Sequence, residues 1–183
     1  GFAGSFRDVL DDLAEKYPGK IFDTLNFNYD LYPNLEEPKE VPVPVGNGIG
    51  GWAADSYYVS NMVLNCDVFI SVPAMKVHNV PGVSLGHKNY MGTASRVKYS
   101  GSGWWLAQLH SFPGGPDAVF SDLFSYHPAD YVVMGGAWGM EGNGPHHTQG
   151  GIPIRTNMVI AGQDPVAVDA VSATVMGFNP WDV

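Results

Sequence analysis

The chain has 183 residues, of which 45% are hydrophobic and 15% charged, so it is expected to bury one globular core. Its 18 Asp and Glu against 9 Lys and Arg give a net charge of −9, which argues against nucleic-acid binding and confines any anion site to a local pocket. No run of 18 apolar residues occurs, so no membrane span is expected, and a soluble protein, with the cytoplasm slightly favoured, is predicted.

The first third of the chain predicts one helix, one strand and a long loop. Ser5 can cap a helix of apolar residues at helical spacing, which Pro18-Gly19 ends. Alternating residues over 21–32 predict a strand, and the Pro- and Gly-rich stretch 33–52 predicts a loop with a short extended piece. Residues 57–64 fit either a strand or a short helix.

The rest of the chain alternates predicted strands and helices. Strands are predicted over 68–72, 131–134 and 157–161, helices over 104–112, 118–124 and from Asp164 to Gly177, and mostly loop with one short helix over 79–103. In the last helix, Val166, Ala167, Ala170, Val171 and Ala173 are expected to face inward. This alternation predicts an α/β layered fold with a mixed, partly parallel sheet, helices on its faces and long Gly/Pro-rich loops.

The chain is expected to form a single domain over residues 1–183. It begins at Gly1 without an initiator Met and ends just after the last predicted helix, so a fragment of a longer protein is expected. The single cysteine, Cys66, excludes an internal disulfide and a cysteine-ligated iron–sulfur cluster within this chain. Its place before an apolar run favours a structural thiol.

Cationic and polar side chains concentrate after the first predicted strand of the core, in an otherwise acidic chain. Lys76 and His78 lie two residues apart, so in an extended segment they would share a face. Lys88 and Asn89 lie between two glycines, where backbone and side-chain donors can hold a carboxylate or a phosphate. The alternatives are a solvated Lys76, a His78 bonded to backbone, and an exposed polar turn.

A second polar cluster follows the predicted strand 131–134. Glu141 opens a turn that contains Gly142 and Gly144 and leads to His146 and His147. Carboxylate and imidazole are ligands that suit zinc, manganese or ferrous iron, but adjacent histidines need not converge on one ion. A plain loop is the alternative.

Two carboxylates accompany the last predicted helix. Asp164 is interpreted as its N-cap, with Pro165 in the first turn. Asp169 lies among apolar residues of the same helix, and a buried carboxylate requires a partner. A Lys or His from the loops is expected to supply it.

Four motifs, in this order, resemble the family catalogued as domain of unknown function 362. They stand here as Val72-Pro73 with Lys76 and His78, Lys88-Asn89 with Gly92, Glu141-Gly142 with Gly144-Pro145, and Asp164-Pro165 with Ala167 and Asp169. The resemblance covers about residues 67–177 and implies an uncharacterised function. Some members carry a ferredoxin-like cysteine-rich segment, which is absent here and puts a redox role in doubt. The family also tends to have an Asp before the EG turn, where this chain has Gly135-Gly136.

The leading hypothesis is an enzyme-like pocket at the strand ends that holds a small anionic substrate, with the reaction unknown. Its expected members are His78 and Glu141 as an acid–base pair, with Lys76, Lys88, Asn89, Gly142, Gly144 and Asp169 holding the substrate. The alternatives are a non-catalytic binding or interaction module, or a redox accessory protein without its iron–sulfur segment. A divalent metal is a further alternative, opposed by the two lysines, with candidate ligands His78, Glu141, Asp169, His146 and His147.

Overall fold

A computed structural model describes residues 5–25, 27, 39–44, 50–100 and 107–183. This part of the chain contains a five-stranded mixed sheet, a two-stranded antiparallel sheet and several helices. The predicted α/β class with a partly parallel sheet is therefore confirmed.

Helix α1, Phe6–Lys16, begins where the sequence predicts it. The Ser5 side chain accepts a hydrogen bond from the Asp8 amide, and the Asp8 carboxylate accepts one from the Ser5 amide, which forms a capping box. The helix buries no residue, and Phe6 is exposed. Local capping, and not burial of an apolar face, therefore defines this helix.

The region before the main sheet departs from the predicted pattern. Residues 21–25 have no regular structure, and most of the remainder of the strand predicted over 21–32 lies outside the described residues. Strand β1, Lys39–Pro42, pairs antiparallel with β2, Ser56–Val59. The ambiguous stretch 57–64 contains both possibilities, because β2 is followed directly by helix α2, Asn61–Asn65.

The main sheet is built around one long strand. Its strands are β3 (Ile70–Ser71), β4 (Ala74–His78), β5 (Gly82–Ser84), β6 (Tyr131–Gly142) and β7 (Gly151–Gly162). Strand β6 pairs in parallel with β3 and β4 on one edge and antiparallel with β7 on the other, and β5 pairs antiparallel with β4. The parallel pairs bring the two polar clusters of the sequence toward the same end of the sheet.

Three strand predictions were wrong in their limits, and one of them, over 157–161, covers only part of β7 (Gly151–Gly162). The strand predicted over 68–72 consists of two residues, and after Pro73 the chain resumes as β4, so that Lys76 and His78 lie within a strand. The sequence predicts a strand over 131–134 only, because a glycine-rich stretch follows and glycine is depleted in strands. This stretch continues β6 instead: a Cβ at Gly136 would lie 3.0 Å from Cγ of Met158, so glycine permits the close strand packing.

Short helices occupy the stretch between β5 and β6. They are α3 (Gly86–Asn89), α4 (Arg96–Tyr99) and α5 (Gly115–Tyr126), with 3₁₀ turns at Tyr90–Thr93 and Ala107–Ser111. The short helix predicted within residues 79–103 is confirmed by α3, but this stretch was expected to be mostly loop and it also contains β5 and α4. Of the helix predicted over 104–112, residues 107–111 form a 3₁₀ turn and 104–106 lie outside the described residues.

Helix α6, Pro165–Val175, is capped as predicted by Asp164, whose carboxylate accepts from the amides of Val166 and Ala167. Its predicted inward face was partly wrong. Ala173 is buried, but Val166 and Val171 are exposed, and Val168 and Ser172 are buried in their place. The buried side of α6 contains residues 165, 168 and 172, which are spaced as one face of a helix. Small residues occur all around this helix, so the sequence pattern does not identify that face.

Asp122 on α5 organises the core beside the small sheet. Its fully buried carboxylate accepts hydrogen bonds from the amides of Trp52, Ala53 and Ala54 and from the hydroxyl of Tyr57. Burial, followed by the bond to Asp122, raises the pKa of Tyr57 well above its usual value. Four donors on one carboxylate thus fix residues 52–57 against α5.

One face of the main sheet is apolar and exposed. The register places Ile70 beside Tyr131, and Gly135 beside Val159, so these positions share a face. Val72 and Val159 are exposed at 67% and 65%. On the opposite face, Val132, Met134 and Met75 are buried in the core that α6 helps to cover.

Candidate functional site

A cavity of about 820 Å³ lies beside β4. Its apolar lining includes Pro73, Leu85, Met91 and Pro145, and its polar lining is Lys76, His78, Asn79, Ser84, Lys88, Asn89, His110, His146, His147, Thr148 and Gln149. Two lysines and four histidines are present, and no Asp or Glu belongs to the lining among the described residues. In a chain with net charge −9, the cavity is a local concentration of cationic and donor groups.

Strand β4 supplies one wall of the cavity. Ala74, Lys76 and His78 line it at every second position, while Met75 and Val77 between them are buried. Strand alternation therefore directs both polar side chains to the cavity, as the sequence predicted for a shared face.

Helix α3 supplies the opposing cation, Lys88. Its ammonium lies 3.5 Å from the Met91 sulfur and 5.1 Å from the centre of the Phe120 ring. Among the described residues, no carboxylate forms an ion pair with it. Burial, and then the nearby charge of Lys76, lowers the pKa of Lys88 to about 8.

The imidazole of His78 is held in one tautomer. Its Nδ1 accepts a hydrogen bond from the Val80 amide at 3.1 Å, so the neutral ring carries its proton on Nε2. Burial, followed by the charges of Lys88, His110, Lys76 and His146, lowers the pKa of His78 to about 4. Near neutral pH the ring is therefore an uncharged hydrogen-bond donor.

The third wall is the turn between β6 and β7, which carries His146 and His147. The Asn79 amide donates to the Gly144 carbonyl, which ties this turn to the end of β4. A Cβ on Gly144 would lie 2.3 Å from the Val77 carbonyl oxygen, so only glycine allows the two backbones to approach this closely. Gly144, which was predicted to hold the substrate, does not belong to the cavity lining; in the structure it brings the histidine-bearing turn against β4.

Asn89 and Asp169 contact backbone and neighbouring side chains. Asn89 Nδ2 donates to the buried Ser71 hydroxyl at 3.0 Å. Asp169 accepts from the amides of Gly86 and His87 at 2.7 and 2.8 Å, and lies 2.7 Å from His87 Nδ1. Asp169 has the histidine partner expected for it, and it lines a smaller pocket of about 270 Å³ instead of the main cavity. Lys88 lines both.

Glu141 and Gly142 lie outside the cavity lining. Met140 is the parallel partner of Lys76, and Glu141 follows it, so strand alternation directs Glu141 to the other face from Lys76. Glu141 is exposed, and Gly142 adopts a positive φ of 77° at the end of β6. The geometry does not bring Glu141 to His78 for acid–base work.

The candidate metal ligands are similarly divided. His78, His146 and His147 line the main cavity, but Glu141 and Asp169 do not. Within the described ranges, no group of three or more His, Cys, Asp or Glu is arranged to hold a metal ion. Cys66 is half-buried near His127, and burial raises the pKa of its thiol, in keeping with the structural role predicted for it.

Sequence reasoning missed several polar lining residues, among them Ser84 of β5. His110 comes from a 3₁₀ turn that no motif marked, and Thr148 and Gln149 follow the two histidines. Asn79 follows His78 directly, and extending the predicted strand past Pro73 would have placed it at the strand end.

The fold and the cavity define a mixed α/β protein with a pocket that is lined by lysines and histidines and lies along β4, between α3 and the β6–β7 turn. The chain belongs to the family described as Domain of unknown function (DUF362), which matches residues 14–174, so the resemblance found in the sequence is confirmed.

The thylakoid-associated protein sll1697 of Synechocystis sp. is similar to this chain. The two are 25% identical over 154 residues, which cover 81% of this chain and 46% of that protein. The chain therefore spans about half the length of this relative. No solved structure matches the chain. No helix among the described residues is long and apolar enough to cross a membrane.

Proposed function

We propose that the cavity binds a small anion, a carboxylate or a phosphate, and that the protein acts on it as an enzyme. The observation that supports this is the composition of the lining: two lysines and four histidines with no acidic residue among those described. A buried cation without a carboxylate partner is costly unless a ligand compensates for it. An anion between Lys76 and Lys88 would offset the burial of Lys88 and the repulsion between the two lysines, which together lower the pKa of Lys88.

In this proposal His78 binds the anion through a hydrogen bond and does not act as the general base. Its Nδ1 is occupied by the Val80 amide and its pKa is lowered to about 4, so Nε2–H is the group it offers to an anion. Asn89 lines the site from α3 while its amide donates to Ser71, and Asp169 holds the start of α3 from outside the cavity. Glu141 and Gly142 have no direct role.

Calorimetric titration with oxalate and with inorganic phosphate tests anion binding. Replacing Lys76 by Met should weaken the affinity about 10- to 100-fold, the usual loss when one partner of a close charge pair is removed. Lys98→Met is the matched control, because Lys98 is exposed and lies over the Tyr58 ring, away from the cavity. The proposal fails if neither anion binds the unaltered protein, or if both variants weaken binding equally.

A second candidate is a non-catalytic module that docks on a larger partner. It is favoured by the apolar sheet face, where Ile70, Val72 and Val159 are exposed. Light scattering of the protein and of a Val72→Lys variant separates the two: association that the variant abolishes, together with a cavity that binds no anion, supports docking.

A further inference from the structure

We propose that Lys88 is an imine-forming lysine, and that the anion bound in the cavity is a carbonyl compound of the 2-oxo acid class. This inference rests on the proposed anion site and assigns to it a substrate class and a nucleophile. Its basis is the geometry around Lys88, together with the chemistry that a desolvated amine can perform.

Lys88 is placed as a nucleophile would be. It lies on α3 between the two pockets and lines both; its ammonium contacts the sulfur of Met91 in the main cavity and lies over the ring of Phe120 in the smaller pocket. Neither is a carboxylate that would stabilise the charged form strongly. A lysine in such surroundings, next to a second lysine, is readily deprotonated near neutral pH and is then reactive toward carbonyl carbon.

Lys76 accounts for the anionic part of the substrate. It lines the same cavity from β4 and is close enough to Lys88 to lower the pKa of that amine. A carboxylate held by Lys76 would place an adjacent carbonyl carbon toward Lys88, and the Nε2–H of His78 can donate to the carbonyl oxygen. The two lysines thus have different roles: Lys76 binds the carboxylate of the substrate, and Lys88 forms a covalent bond with its carbonyl carbon.

The chemical step balances without any other reactant. The neutral amine of Lys88 attacks the carbonyl carbon, and the carbonyl π electrons move to oxygen, which takes up one of the two amine protons. The resulting carbinolamine loses the nitrogen proton and the hydroxyl group as one water molecule, which leaves a carbon–nitrogen double bond. The protonated imine withdraws electrons from the neighbouring carbon–carbon or carbon–hydrogen bond, so cleavage or proton abstraction at that carbon is the class of reaction it would serve.

The amine is surrounded by several titratable groups, which set the pH at which it reacts. On the cavity side and on the side of the smaller pocket these are Lys76, His78, His110, His146, His147, His87, Asp117 and Asp169. Burial and Lys76 dominate, and they bring the pKa of Lys88 to about 8. Imine formation should therefore rise with pH to a plateau above about pH 8.

Reductive trapping tests the inference. The protein is incubated with pyruvate and cyanoborohydride, which delivers hydride to an imine, and the modified lysine is located by peptide mass spectrometry. At about pH 7.5 we expect the adduct to form at Lys88 about tenfold faster than at exposed Lys98, because the larger neutral fraction outweighs the lower intrinsic nucleophilicity. Excess oxalate should compete for the site and slow the reaction at Lys88 alone.

Two variants keep the result interpretable. Lys88→Arg retains a positive charge and cannot form an imine, so it should still bind oxalate and give no adduct at residue 88. Lys76→Met should leave Lys88 in place but slow trapping about tenfold, since the carboxylate loses its cation. Circular dichroism confirms that each variant is folded.

The outcomes distinguish this inference from the anion site on which it rests. Oxalate binding without an adduct at Lys88, or adducts spread evenly over the surface lysines, overturns the imine and leaves the anion site intact. Failure of both oxalate and pyruvate to bind overturns both proposals. An adduct at Lys88 that oxalate suppresses supports both.

Discussion

Asp169→Asn is the most direct test of how the fold positions Lys88. The Asp169 carboxylate accepts from the amides of Gly86 and His87 and contacts His87 Nδ1, all within 2.8 Å. An asparagine keeps one acceptor oxygen, but its NH₂ group must then face donors that the second oxygen satisfied. With its oxygen in the place of Oδ2, an asparagine keeps both contacts with His87 and loses the bond from the Gly86 amide, so the substitution removes at least one of the three bonds that hold α3.

The expected loss follows from those contacts. A hydrogen bond to a charged group contributes about 1.5–3 kcal/mol, and the Asp169 side chain is 16% exposed, so water replaces little of what is lost. The loss of one such bond gives a decrease of about 1.5–3 kcal/mol in the free energy of unfolding, or about 3–12 °C in Tm for a chain of this length. Because α3 carries Lys88, anion affinity should fall as well.

Urea unfolding followed by circular dichroism measures the loss. Asp67→Asn is the matched control: it changes the net charge equally at an exposed site and should shift the free energy of unfolding by no more than about 0.5 kcal/mol. A loss for Asp169→Asn no greater than that of the control would refute the assignment of these bonds as the anchor of α3.

Two further predictions concern the cavity walls. Gly144→Ala places a Cβ 2.3 Å from the Val77 carbonyl oxygen, so we expect the free energy of unfolding in urea to fall by about 3 kcal/mol or more. Gly92→Ala is the control, because a Cβ there meets no atom within 4 Å and should be nearly neutral. Equal effects of the two substitutions would show that the close approach at Gly144 is unimportant. The pKa of Lys88 is lowered to about 8 from 10.5, so between those values the unfolded chain binds more protons than the folded one, and the free energy of unfolding should rise with pH relative to a Lys88→Met variant. Parallel pH profiles for the two proteins would contradict the lowered pKa.

The sequence predicted the α/β class, the capped helices α1 and α6, and the shared face of Lys76 and His78, because each depends on local spacing or on a capping side chain. It failed where tertiary contacts override local preference. The glycine-rich half of β6 forms a strand because β7 packs closely against it. The low intrinsic strand propensity of glycine does not take this tertiary contact into account.

Local spacing in the sequence also predicted part of the candidate site. Lys76, His78 and Lys88 lie in one cavity, as the clustering of cationic residues suggested. The exclusion of Glu141 depends on the register of β6 against β4, in which Met140 and not Glu141 is the partner of Lys76. The register between two strands that lie far apart in the chain cannot be read from the local sequence of either strand.

The parallel pairing of β4 with β6 has a kinetic consequence. The paired residues Ala74 and Gly135 are separated by roughly sixty positions, and closing so large a segment is entropically slow compared with forming a hairpin such as β6–β7. The histidine-bearing turn and the wall that carries Lys76 therefore meet only after this late contact forms. An anion that needs both walls cannot assist the early steps of folding; it should instead slow unfolding, by stabilising a native pairing that the transition state has yet to complete.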